Sequence, residues 1–147
     1  MSEQFVIFRI GEEDYGINIS SVLEIIKEAQ PTEVPLSSSH VKGVINLRGD
    51  IITVIELHQL LNIAERETSD DTRIIVVETE EQKMGIIVDE VIEVTVLSEG
   101  DIQPPPKVTS EISRLVEGLA KQDERILMLL NLDSFFELSL AEELQMS

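Results

Sequence analysis

Short apolar runs recur along the chain: Phe5 to Ile10, Gly16 to Ile19, Ile51 to Leu57, Arg73 to Val77, Gly85 to Val88, Val91 to Leu97 and Ile126 to Leu132. Each is rich in Val, Ile and Leu and is bounded by polar or glycine-containing segments. Such runs are too short for ordinary helices, so the pattern predicts strands. Gly11-Glu12-Glu13-Asp14 and Glu80-Glu81-Gln82-Lys83 fall between runs as hairpin turns. Helical signals are few. His58 to Leu61 reads as one turn, and Asp133 as the N-cap of a helix from Ser134 to Leu144. That helix is expected to pack Phe135, Phe136 and Leu140 back onto the body. Gln30 to Ser39, Ala64 to Thr72 and Ser98 to Ser110 read as loops. Pro104-Pro105-Pro106 removes consecutive backbone donors, so that stretch is a stiff connector and not a central strand.

The chain also repeats itself. Tyr15 to Ile25 lies over Met84 to Val94 at an offset of 69 residues, with Gly16/Gly85, Ile17/Ile86, Val22/Val91 and Glu24/Glu93 identical. Gly43 to Leu57 lies over Gly118 to Leu132 at an offset of 75, with glycine, isoleucine and leucine coinciding at 43/118, 51/126 and 57/132. The organisation expected is one domain spanning 1–147, built from two related β units at about 1–66 and 67–147. Few strands per unit leave exposed edges, so both units should curl into small barrels and pack tightly together.

Length and charge narrow the function. A chain of 147 residues suits one domain or two small subdomains on a common core. Eleven Lys and Arg against 29 Asp and Glu give a formal charge of −18. A surface of that sign repels phosphate backbones and anionic lipid, which argues against nucleic-acid partners and membrane insertion. Without cysteine there are no disulfides, thiolate zinc sites or cysteine nucleophiles. Met1-Ser2-Glu3-Gln4 has neither a basic nor a long apolar leader, so the expected location is the cytoplasm.

Catalytic inventories fail one by one. His40 and His58 are the only imidazoles, and no G-x-S-x-G elbow accompanies them. His40 reads as a solvated turn residue and His58 as a surface or boundary residue. Their spacing does not make a metal pair. No D-x-D-x-D-G calcium loop, Walker loop or G-x-G-x-x-G occurs. The expectation is a protein without catalytic residues, cofactor or metal.

What remains is a surface. Gly43, Asn46, Arg48 and Gly49 sit together in a strongly apolar stretch, while the twin positions of the last three carry Lys121, Asp123 and Glu124. Gly49-Asp50 reads as a turn between two strands. An arginine here is either an ordinary rim charge or a positioned guanidinium at a recognition site.

Gly43-Val44-Ile45-Asn46-Leu47-Arg48-Gly49 followed by Ile51 to Leu57 resembles the motif of the chemotaxis coupling family CheW. Phe5 to Ile10 with Tyr15-Gly16-Ile17 is similar to that family's opening hairpin. Val22 to Ile26, Arg73 to Val77 with Gly85 to Val91, and Gly118-Leu119-Ala120 with Leu127 to Leu132 continue the likeness in order. Thr53 stands where the family usually has proline, and Glu56 where it usually has aspartate.

The resemblance implies a mostly β fold of two SH3-like barrels sharing a hydrophobic interface, with no enzymatic activity. It implies two partners: the cytoplasmic tip of methyl-accepting chemotaxis receptors, and the regulatory domain of the histidine kinase CheA. The chain is then expected to be a monomer alone that assembles into receptor–kinase arrays at the inner membrane. The resemblance places sensitive positions at Val22, Glu24, Gly43 and Arg48, to which the motif adds Asn46 and Gly49 as partner-binding residues. Glu24 and Arg48 are expected to lie close together. Two other outputs share these features: an adaptor of a chemotaxis-like pathway, and a free-standing homologue of the kinase regulatory domain that caps arrays.

Overall fold

The structure, a computed structural model, describes residues 2–27, 31–33, 41–58, 63, 68–79, 82–105 and 115–134. Among them the strands are β1 (Ser2–Ile10), β2 (Glu13–Asn18), β3 (Val22–Ile26), β4 (Val41–Leu47), β5 (Asp50–Glu56), β6 (Arg73–Glu78), β7 (Lys83–Val88), β8 (Glu90–Ser98), β9 (Ile102–Gln103), β10 (Val116–Gln122) and β11 (Arg125–Leu130). They form two sheets, ordered β8-β1-β2-β11-β10-β9 and β3-β6-β7-β5-β4. A bridge from Thr32 to Val44 continues the second sheet where β9 continues the first.

The repeat found in the sequence is the symmetry of this topology. β2 joins β11 in parallel as β7 joins β5, and β1 pairs β8 as β6 pairs β3. Irregularities recur too. The β4 ladder shifts between Val41 and Gly43 and the β10 ladder between Val116 and Gly118. The expected boundary near residue 66 divides the repeat but not the sheets. β1 and β2 belong to the first sheet, whereas β3, β4 and β5 belong to the second together with β6 and β7. The chain crosses from the first sheet to the second at the 3-10 turn Ile19–Ser21, and back at Asp89. A lone β1–β2 hairpin would be marginal in water, and strands from the other half of the chain complete its sheet.

Alternation along each strand sorts side chains between two cores. On β1, Phe5 and Ile7 face an inner cluster with Leu97, Leu127 and Leu129. Val6, Phe8 and Ile10 face the other way, into a large cluster shared with Ile55, Ile75, Val77 and Ile86 of the second sheet. A third cluster, around Ile45, Ile52, Val54, Ile74 and Val76, fills the concave side of the second sheet. The two units therefore meet on one hydrophobic interface. Phe8 is fully buried there and stacks on Tyr15 with ring centroids 6.0 Å apart.

Each sheet curls, in the SH3-like manner, without closing its ladder. The Thr95 hydroxyl on β8 lies 3.3 Å from Gln122 Oε1 on β10, although β1, β2 and β11 stand between the two strands in the sheet. This is a mostly β fold of two small barrel-like units, as expected. β3, β4, β9 and β10 were not among the predicted runs: Glu24, Lys42, Glu117 and Lys121 interrupt the apolar pattern of β3, β4 and β10, and the two-residue β9 lies within the segment Ser98 to Ser110 that was expected to be a loop.

At the C-terminal end, helix begins at Leu132, one residue before the predicted Asp133 cap. Asn131 takes the capping role, its Oδ1 accepting the Ser134 N–H at 3.4 Å. Phe135, Phe136, Leu140 and the rest of the predicted helix lie outside the described residues. His58 is not a surface residue. It is 3% exposed, with Asp89 Oδ1 3.4 Å from Nε2 and Glu56 Oε2 4.0 Å from Nδ1.

Candidate functional site

The site is built where β3 and the β4–β5 hairpin approach each other across the curled second sheet. Leu47 pairs with Asp50, so Arg48 and Gly49 form a two-residue loop. Their φ angles are 53° and 91°, as the first and second positions of a type I′ turn require. Glycine accepts that conformation freely, and arginine does so at a cost. Asn46 contributes a bond that holds the turn: its Oδ1 accepts the Gly49 N–H at 3.1 Å.

From this turn Arg48 extends its guanidinium to Glu24 on β3, Nη2 to Oε2 3.5 Å. The expected proximity of these two residues is present. The Arg48 side chain is 80% exposed and that of Glu24 30%. An ion pair in that setting adds little stability, about 0–1 kcal/mol, and leaves most guanidinium donors open to water or a partner.

Gly43 and Val22 play different parts. Gly43 is buried under Pro31 and Thr32, with φ at 151°. A side chain there would run into the Thr32 carbonyl group. Next to it, Val44 and Thr32 exchange backbone hydrogen bonds of 2.9 and 2.8 Å. Val22 is half-buried against the inter-sheet cluster. Gly43 and Val22 are thus packed positions, while Asn46, Arg48 and Gly49 are exposed.

Apolar side chains are exposed at positions next to these residues in the chain or across the hairpin. Leu23 and Ile25 on β3 are 48% and 43% exposed, and Ile51, the cross-strand partner of Asn46, is 77% exposed. Sequence reading passed over them because isoleucine in a Val/Ile-rich run reads as core. The alternation of Ile51 with buried Ile52 was the available signal.

The opposite unit has a contrasting end. Asp14, 5% exposed, is held by Arg9 Nε at 3.1 Å and by Arg125 Nη1 at 3.3 Å. Arg125 also reaches Glu93, and Arg9 reaches Glu90. These charges are spent on one another. Among the described residues no three His, Asp or Glu side chains converge as a metal site, and no helix is long and apolar enough to cross a membrane.

An interleaved pair of curled sheets thus presents an exposed ion pair at one hairpin turn, the arrangement of a surface suited to binding. The CheW-like domain model matches residues 4–139. The chain is 34% identical over 134 residues to the chemotaxis protein CheW of Helicobacter pylori, covering 91% of this chain and 81% of that protein. It is 33% identical to the chemotaxis protein CheW of Bacillus subtilis, covering 92% and 87%. The solved scaffolding protein TtCheW from Thermoanaerobacter tengcongensis matches with a TM-score of 0.84 and 42% identity, over 90% of this chain and 86% of that one. The chain belongs to the CheW family.

Proposed function

We infer that this chain is a non-enzymatic chemotaxis adaptor that couples receptors to the histidine kinase CheA. Family membership, with relatives named as chemotaxis and scaffolding proteins, supports the class of function. One observation supports the location of the receptor contact: Arg48 stands 80% exposed on a held turn while already oriented by Glu24. The receptor's cytoplasmic tip would meet Arg48 and Gly49 on the turn that Asn46 closes, with Gly43 and Val22 supporting that surface from below. The kinase's regulatory domain would meet exposed apolar residues at the barrel ends. The chain would work in the cytoplasm, recruited to receptor arrays.

A three-way pulldown with a receptor cytoplasmic fragment and CheA tests this reading. The expected result is retention of both partners by the wild-type chain, with loss of the receptor fragment alone in Arg48→Ala. Failure to retain either partner would overturn the adaptor reading. Retention of both by Arg48→Ala would move the receptor contact elsewhere.

A further inference from the structure

We propose that Asn46 is a positioning residue: it selects the turn conformation from which Arg48 reaches Glu24, and it does not itself bind the partner. This deepens the reading of the site given above and rests on it for the binding measurements alone.

The argument starts from the cost of the turn. Arg48 is one of two non-glycine residues with positive φ among those described, at 53°. The other is Asp123 at 56°, its twin in the repeat. The two turns then part company. Gly49 follows Arg48 with φ at 91°, whereas Glu124, after Asp123, is not in the positive region. Only the first hairpin is therefore a type I′ turn, with both loop residues left-handed. A longer side chain disfavours that region, so the sequence Arg-Gly needs a restraint that Asn-Gly would supply at its own first position.

The restraint comes from two residues upstream. The Gly49 N–H points back and donates to Asn46 Oδ1 at 3.1 Å. This bond spans the turn, and because the Gly49 N–H lies in the Arg48–Gly49 peptide plane, it ties down the orientation that the left-handed Arg48 backbone gives that plane. The twin of Asn46 is Lys121, a donor that has no acceptor oxygen to offer a backbone N–H. The acceptor and the type I′ turn therefore occur together in the copy that carries Arg48, and neither occurs in the other. Turn geometry fixes the direction in which the Arg48 side chain leaves the backbone. From there Nη2 lies 3.5 Å from Glu24 on a strand at the far edge of the same sheet. Without the Asn46 bond, the turn can relax to other two-residue conformations, and the guanidinium leaves Glu24.

Two measurements test the proposal on the intact chain. The first uses the free protein and no partner. In Asn46→Ala, solution NMR is expected to show faster hydrogen exchange at the Gly49 amide and a shifted Arg48 Nε–H resonance. In Asn46→Asp, which keeps an acceptor oxygen, both signals should stay near wild type. An unchanged Arg48 resonance in Asn46→Ala would overturn the proposal.

The second measurement is a double-mutant cycle on affinity for a receptor cytoplasmic fragment. Asn46→Ala should weaken binding by about 3- to 10-fold, Asn46→Asp by less than about 2-fold, and Asn46→Ala should add nothing to Arg48→Ala. Full multiplication of the two single effects would make Asn46 an independent contact and overturn the positioning role. If Arg48→Ala binds the fragment as wild type does, the receptor site is misplaced, and the NMR pair alone decides the role of Asn46.

Discussion

Glu93 is the twin of Glu24, and each carboxylate holds an arginine of the facing hairpin, but from different positions of that hairpin. Glu24 meets Arg48 in the turn itself, at 3.5 Å. Glu93 meets Arg125 at 3.2 Å, and the repeat equivalent of Arg125 is Asp50, the residue after the turn. Two residues of displacement separate a surface charge from a structural one. Arg125 lies on β11 within reach of buried Asp14, whereas Arg48 sits at the tip with its side chain 80% exposed. The opposite charges continue along the pair of ends. Arg9, Asp14 and Arg125 of the first sheet stand where the second has Glu78, Lys83 and Asp50. The copies have thus kept a fold and diverged in what their ends present.

Arg48→Ala is expected to impair receptor-coupled kinase activation while shifting the melting temperature by less than about 4 °C, since an exposed pair contributes about 0–1 kcal/mol. Exchanging the charges, Glu24→Arg with Arg48→Glu, should recover part of the activity that either single reversal loses. Activation assays beside thermal melts check this. Full activity in Arg48→Ala would return the residue to the role of an ordinary rim charge.

Asp14→Ala should behave in the opposite way. It removes a nearly buried carboxylate and leaves Arg9 and Arg125 facing each other, with Glu90 and Glu93 the remaining partners. Breaking a buried pair costs about 3–5 kcal/mol. The arginines here are 38% and 32% exposed, so solvent screening reduces the expected loss to about 1–3 kcal/mol. Urea denaturation of the purified variant measures it, and a loss below the Arg48→Ala value would contradict the contrast between the two ends.

Much of this was legible in the sequence. The apolar periods gave most strands, and coincident glycines gave the repeat. The Arg48–Glu24 contact followed from placing both in one unit. The interleaving of the halves was hidden, because strand periodicity says which face is buried but not which neighbour buries it. His58 was misjudged for a related reason. Next to a polar residue and at the end of a strand it reads as surface, yet it follows β5 into the interface, where Asp89 closes the crossing between sheets. Asp89 Oδ2 accepts the Gly11 N–H at 2.7 Å, a contact between residues far apart in the chain that no local pattern announces.

Gly43→Val should disrupt the site without touching a charge. The φ of 151° disfavours any side chain, and the new Cβ would press on the backbone carbonyl of Thr32. Strain of this kind costs about 1–3 kcal/mol. The expected outcome is a lowered melting temperature, with receptor binding weakened because the Thr32–Val44 bridge is displaced. Unchanged stability in this variant would mean that the 31–33 segment moves aside freely.

The single tyrosine offers a pH prediction with a defined sign. Burial, and then the nearby charge of Glu13, push the Tyr15 phenol up to about 12 from its ordinary 10. A folded-state value above the unfolded one means that the unfolded chain releases its proton first as pH rises. The folded state then binds more protons between the two values, so stability should decline from about pH 10 and level off above about 12. Because Tyr15 is the only tyrosine and the chain has no tryptophan, tyrosinate absorbance reports on it without interference. The absorbance rise should come late, near 12, or coincide with alkaline unfolding followed by circular dichroism. Tyr15→Phe keeps the ring that stacks on Phe8 and removes the proton, so its stability should stay flat over the range in which the wild type weakens. A phenol that titrates near 10 in the folded protein would mean that Tyr15 is not held in the core beside Phe8.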